Sequence, residues 1–181
     1  MMYQKGFTLI ELMVAITIAM LLLTVGVPSF SSTLLRMESS AIADQLVSSI
    51  YFSRNEAISR NKRVTLCASL DGVVCDISNV NTWNSGWIAT WQDASNNTVV
   101  IRYWPVTNQN ARISLASTTM PDSIIFTAQG DIFLNSKVSA AIGQNVSFST
   151  QSSSCSTTDQ ERRNITIAPF GTVTITKVAC L

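Results

Sequence analysis

The pattern of apolar and polar positions changes character twice along the chain. From Phe7 to Val27 the sequence FTLIELMVAITIAMLLLTVGV is apolar almost throughout, with Glu11 as its only charged residue. That is about the length a bilayer-spanning helix needs. Further on, Leu35, Ile42, Leu46, Ile50 and Ala57 recur at intervals of seven and four, with Ser, Arg, Glu and Asp filling the other positions. This spacing predicts an amphipathic helix with one face on a core. A helix running from Phe7 to about Asn61 would be on the order of 80 Å long at 1.5 Å per residue. Gly26 and Pro28 are its weak point, where a kink is expected because proline removes a backbone donor and crowds the preceding turn. Arg60, Lys62 and Arg63 suit the negative end of the helix dipole and mark its termination.

After Arg63 the pattern becomes short β-prone runs separated by Asn, Ser, Gly and Asp. Strands are predicted at Val64 to Ser69, Trp87 to Gln92, Thr98 to Trp104, Arg112 to Ala116, Ser123 to Thr127, Val146 to Thr150, Asn164 to Ala168 and Thr172 to Val178. Strand following strand without a helical period argues for two packed antiparallel sheets with the helix against one face, an α+β fold with a β-sandwich head. The Ser-, Asn- and Thr-rich stretches from Asp71 to Ser85 and from Asn135 to Thr158 read as exposed loops. Trp87 and Trp91 share a strand face with Ala89, so these two and Trp104 are expected in the core. Trp83 lies in a polar stretch and is expected to be the exposed tryptophan.

Composition narrows the function. The 181 residues include no histidine, which removes the usual general base near neutral pH and the commonest metal ligand. A net charge of +1 with 13% charged residues supplies no broad basic field for nucleic acid. No serine, cysteine or carboxylate pair comes with an identifiable base, so no catalytic residue, metal, cofactor or small-molecule substrate is expected. Cys67, Cys75, Cys155 and Cys180 all follow the apolar run, which suits disulfides in an oxidising compartment. Three pairings are open. Closing the local loops Cys67 to Cys75 and Cys155 to Cys180 is the expectation, because it needs no long excursion.

Glu11 carries the sharpest signal. A carboxylate in a membrane segment costs roughly 2.5 to 3.5 kcal/mol on insertion scales, so it calls for a cation at the same depth. If the chain were cut after Gly6, the new α-amine of Phe7 on a neighbouring subunit could neutralise it. The stretch KGFTLIELMVAITI resembles the signal of type IV pilins and type II secretion pseudopilins. That resemblance implies cleavage by the prepilin peptidase after Gly6, N-methylation of Phe7 and an assembly role for Glu11. It also implies a leader over 1–6, a transmembrane helix over 7–27, an amphipathic continuation over 28–62 and a periplasmic head over 63–181. Lys5 favours a cytoplasmic N-terminus, and the resemblance implies that the membrane is the bacterial inner membrane.

The segment RNEAISRNKRVTLCAS, together with NSGWIATWQD, is similar to the GspH/FimT group of minor pilins and pseudopilins. This implies a minor pilin that starts pilus assembly or joins tip components to the fibre. Its partners would be major and minor pilins, the peptidase and the inner-membrane assembly platform. The alternatives are a FimT-like DNA-binding pilin in natural transformation and a GspH-like minor pseudopilin of secretion. FimT-like proteins carry a Gly-Arg-x-Arg motif near the C-terminus, but here Gly171 is followed by Thr172, Val173 and Thr174. Only Arg162, Arg163 and Lys177 remain as possible DNA contacts, diluted by Asp159 and Glu161, so nucleic acid is not the expected partner.

Overall fold

The computed structural model describes residues 6–76, 80–107, 111–115, 123–135, 145–152, 155 and 161–180. Helix α1 spans Leu9–Arg60. It begins in one compact unit, Met1–Leu35, and ends in a second, Arg36–Leu181. Its C-terminal end is fixed by Asn61, which takes φ 52°. From there the Asn61 N–H reaches the Ile58 carbonyl at 3.2 Å and the Lys62 N–H reaches the Ala57 carbonyl at 3.1 Å. This crossed pair of bonds closes the last helical carbonyls, and asparagine tolerates the left-handed conformation it requires.

The second unit holds nine strands among its described residues. A five-stranded sheet has the order β3-β2-β1-β5-β6, and a four-stranded sheet has the order β4-β7-β8-β9. The first is built from β1 (Val64–Ala68), β2 (Gly86–Gln92), β3 (Thr98–Pro105), β5 (Ser123–Phe126) and β6 (Ile132–Asn135). The second is built from β4 (Ala111–Leu115), β7 (Val146–Ser152), β8 (Glu161–Ile167) and β9 (Val173–Ala179). All pairings are antiparallel.

Alternation along the strands sends one side chain in two to a shared core. Val64, Leu66 and Ala68 enter it from β1, Trp87 and Ala89 from β2, Ile124 and Phe126 from β5, Phe148 from β7 and Ile165 and Ile167 from β8. The helix adds Ile42, Ala43, Leu46, Ile50 and Ala57. Ser49 and Ser53 also lie on the buried face of the helix. Their hydroxyls donate back to the Leu46 carbonyl at 2.7 Å and the Ser49 carbonyl at 2.8 Å. Satisfied in this way, they act as small spacers and add no unpaired polar group to the core.

Two expectations are corrected here. Trp83 is buried, at 3% exposure. It sits on a 3-10 turn, Val80–Asn84, with its ring 5.2 Å from Phe148 and 6.3 Å from Trp87. The stretch Asp71 to Ser85 is therefore not wholly an exposed loop, because its second half plugs the core. Strand β6 was not anticipated, since IFLN is only four residues long and follows a Gly turn directly. Of the stretch Asn135 to Thr158, residues 136–144, 153–154 and 156–158 lie outside the described residues, and most of the remainder is β7.

Candidate functional site

The N-terminal end of α1 is a capping box. Thr8 precedes the first helical residue and Glu11 stands three residues on. The Glu11 N–H donates to Thr8 Oγ1 at 3.3 Å, while the Thr8 N–H and hydroxyl both reach Glu11 Oε2 at 3.4 Å. This reciprocal pairing satisfies two donors that a helix start otherwise leaves open. The pattern Thr-x-x-Glu was legible in the sequence and was overlooked beside the question of charge in a membrane. Gly6 and Phe7 lie outside the helix, with Phe7 85% exposed and nothing within 4 Å of where a Gly6 side chain would begin. The Gly6–Phe7 bond and the Glu11 carboxylate are thus brought to one exposed end. The helix continues through Gly26 and Pro28. Among the described residues no helix is long and apolar enough to cross a membrane. The described side chains of the apolar run stop at Thr24, short of the span that the sequence carries to Val27.

At the other end of α1 the basic cluster does more than end the helix. Arg60 lies 5.4 Å and Lys62 4.6 Å from the ring centre of Trp91, both within cation–π range. Trp91 is therefore half-buried under two cations rather than fully in the core. Arg60 also pairs with Glu56 at 2.6 Å. Lys62, Arg63, Thr65, Thr90, Trp91 and Asp93 line an open groove of about 640 Å³ on the outer side of the five-stranded sheet. Its one described carboxylate, Asp93, is held below the usual range chiefly by the backbone N–H of Asn97.

The candidate DNA contacts divide between the two faces of the four-stranded sheet. Arg163 and Lys177 are opposite one another on β8 and β9, while Arg162 pairs with Val178 and so points to the other face. Arg163 reaches Asp44 of the helix at 3.7 Å. Arg102, on β3 of the other sheet, is stacked 5.5 Å from the ring centre of Phe52 on the helix and 5.2 Å from that of Trp104.

The cysteines pair as Cys67–Cys75 and Cys155–Cys180. A third tie comes from Arg54. Its Nε donates to the Gly130 carbonyl at 2.8 Å and its Nη2 to the Phe170 carbonyl at 3.3 Å. One helical side chain thereby joins the β5–β6 turn to the β8–β9 turn.

Residues 43–171 match the family profile described as type II transport protein GspH, and residues 1–27 match the prokaryotic N-terminal methylation motif. No protein of curated function is significantly similar in sequence. Among solved structures, the type IV minor pilin FimU of Pseudomonas aeruginosa PAO1 superposes with a TM-score of 0.55 at 19% identity. The match covers 78% of this chain and 90% of FimU. The minor pseudopilin EpsH from the type 2 secretion system of Vibrio cholerae superposes with a TM-score of 0.53 at 9% identity, covering 77% of this chain and 96% of EpsH. At these identities the likeness is one of fold.

Proposed function

Because the chain belongs to the family of the type II transport protein GspH and opens with an N-terminal methylation motif, we propose that it is a minor pilin of a type IV pilus. It is cut after Gly6, methylated on Phe7 and held in the filament through Glu11. The observation that carries this reading is the N-terminal geometry. The Gly6–Phe7 bond is exposed and non-helical, so a peptidase and a methyltransferase can reach it without unwinding α1. Among the described residues Glu11 is engaged by its own cap, with oxygen contacts of 3.4 Å that lie at the long end of the hydrogen-bond range. Exchanging that weak local cap for the charged amine of a neighbour's Phe7 gains a buried opposite charge and gives up little. In this reading the head over 63–181 faces the periplasm, the apolar run to Val27 crosses the inner membrane, and Gly26 and Pro28 allow it to bend between lipid and head. Other pilins, the prepilin peptidase and the assembly platform are the partners, and the chain works as a subunit rather than as an enzyme.

A GspH-like role in secretion is the second reading, supported by the description of the family itself. Of Arg102, Arg162, Arg163 and Lys177 only Arg163 and Lys177 share a face, and Arg163 also reaches Asp44; so small a cluster speaks against DNA uptake, since non-specific DNA affinity scales with clustered cations. Filaments sheared from the cell surface provide the test. Mass spectrometry is expected to find the chain there, starting at Phe7 with one methyl group. Its absence from surface pili, together with loss of protein secretion when its gene is deleted, would move it to the secretion machine. An uncut Met1 terminus in assembled material would sink both readings.

A further inference from the structure

The loop between β1 and β2 presents three aliphatic side chains to water: Leu70 at 61% exposure, Val73 at 63% and Val74 at 59%. Scattered exposed aliphatics are ordinary, but three of them within one short disulfide loop are not. This loop is held in shape from every side. Cys67, itself fully buried, bridges to Cys75. The Asp71 carboxylate accepts from the Val73 N–H at 2.8 Å and the Val74 N–H at 3.1 Å. The buried Ser69 hydroxyl accepts from the Gly72 N–H at 3.0 Å and lies 2.7 Å from the Val74 carbonyl. Both ends are stitched to the sheet, Ser69 N–H to the Gly86 carbonyl at 3.0 Å and Asp76 N–H to the Ala68 carbonyl at 2.8 Å. Gly72, with φ 75°, lies so close over the Tyr103 ring that a side chain there would begin 2.7 Å from it. Apolar groups displayed on a loop already fixed in shape lose little further freedom when they dock.

The charge around them chooses between a protein and a lipid surface. Asp71 and Asp76 flank the aliphatics, and the loop itself carries no Lys or Arg, the cations Lys62 and Arg63 sharing a groove only with its closing residue Cys75 among the loop residues. An anionic bilayer would repel such a tip, whereas membrane-binding loops carry basic residues beside their apolar ones. We propose that the Cys67–Cys75 loop is a docking finger that inserts Leu70, Val73 and Val74 into an apolar pocket rimmed by basic side chains on a neighbouring protein subunit. This goes beyond the pilin reading and rests on it only for export and assembly. The contact is set by the loop alone, so it does not involve Glu11 or the helix.

The test places a photoreactive diazirine amino acid at Leu70 of the full chain in the producing cell, with a control probe at the exposed Thr174 on β9. The expected result is one protein adduct specific to the Leu70 probe. Its attachment point on the partner should map to an apolar pocket beside Lys or Arg. Val73→Thr with Val74→Thr preserves side-chain shape and is expected to lower the yield by about tenfold or more, since each aliphatic loses most of its transfer free energy. Non-reducing mass analysis of the same samples checks that Cys67–Cys75 is intact. Adducts to lipid, adducts spread over many proteins, or a yield unchanged by the threonine pair would each overturn the proposal. So would the lack of any adduct in chains whose Phe7 is methylated, whereas chains left uncut would instead overturn the pilin reading.

Discussion

Replacing Gly171 with alanine tests how the head is tied to its helix. Gly171 occupies the β8–β9 turn at φ 76°, and a Cβ there would stand 2.6 Å from Arg54 Nε and 2.7 Å from the Gly130 carbonyl oxygen. The left-handed conformation alone costs alanine about 1 to 2 kcal/mol. The methyl also drives Arg54 from its 2.8 Å bond to Gly130, and a hydrogen bond to a charged group is worth about 1.5 to 3 kcal/mol. Together these give a loss of about 2.5 to 5 kcal/mol. Urea unfolding of the full chain in detergent, followed by tryptophan fluorescence, reads it directly, because Trp83, Trp87 and Trp104 are all at most 5% exposed. Arg54→Ala should cost about 1.5 to 3 kcal/mol by itself. In that background Gly171→Ala should cost less than in the wild type, because part of its penalty has already been taken. A Gly171→Ala loss below about 0.5 kcal/mol, the range of ordinary surface changes, would refute the reasoning. So would an equal cost in the two backgrounds.

Three further outcomes are expected. Glu11→Val should leave the chain inserted and cut after Gly6 but deplete it from sheared filaments, as immunoblotting of the two fractions would show. Cys155→Ser with Cys180→Ser, whose bridge spans 25 residues, should destabilise by about 3 to 4 kcal/mol on the chain-entropy account, and the Cys67–Cys75 pair by about 2.5; equal losses in urea melts would contradict that ordering. The backbone N–H of Val73, followed by that of Val74, holds the Asp71 carboxyl below its ordinary value of 3.8. A depressed folded value means the contribution is present above the unfolded pKa and is lost as pH falls through the folded one. The Val73 and Val74 amide resonances should accordingly stay fixed at neutral pH and move only in acid, and Asp71→Asn should remove that transition.

Most of the architecture was legible because it depends on period. The seven-and-four spacing placed Ile42, Leu46, Ile50 and Ala57 on the buried face of the helix, and short β-prone runs between turn residues marked Val64 to Ser69 and Trp87 to Gln92 as strands, within a residue of the observed Val64–Ala68 and Gly86–Gln92. Trp83 was misjudged for the same reason. Its neighbours Asn81, Thr82 and Asn84 give no apolar period, and its burial comes from a 3-10 turn that Asn84 secures by accepting the Ile113 N–H at 2.6 Å. No local pattern announces a bond to a strand that far along the chain. The methylation motif lay openly in the sequence, while the stacking of Arg60 and Lys62 on Trp91 needed β2 to return beside the helix end. The exposed aliphatics at Leu70, Val73 and Val74 were hidden among residues that seemed to be simple loop.

The interleaving of the two sheets sets the order in which the head can finish folding. The five-stranded sheet takes β1 to β3, β5 and β6, so its last strand is supplied by Asn135. The four-stranded sheet has received only β4 by then and must wait for β7, β8 and β9, ending at Ala179. A head threaded through the membrane from its N-terminal side would thus show the inner face of the first sheet, with Trp87 and Phe126, to the periplasm before Phe148, Ile165 and Ile167 arrive to cover it. That interval is when the chain is most exposed to aggregation and proteolysis. Any truncation before β8 prolongs it indefinitely, so on the exported topology proposed above nascent subunits are expected to need a holding chaperone during that interval.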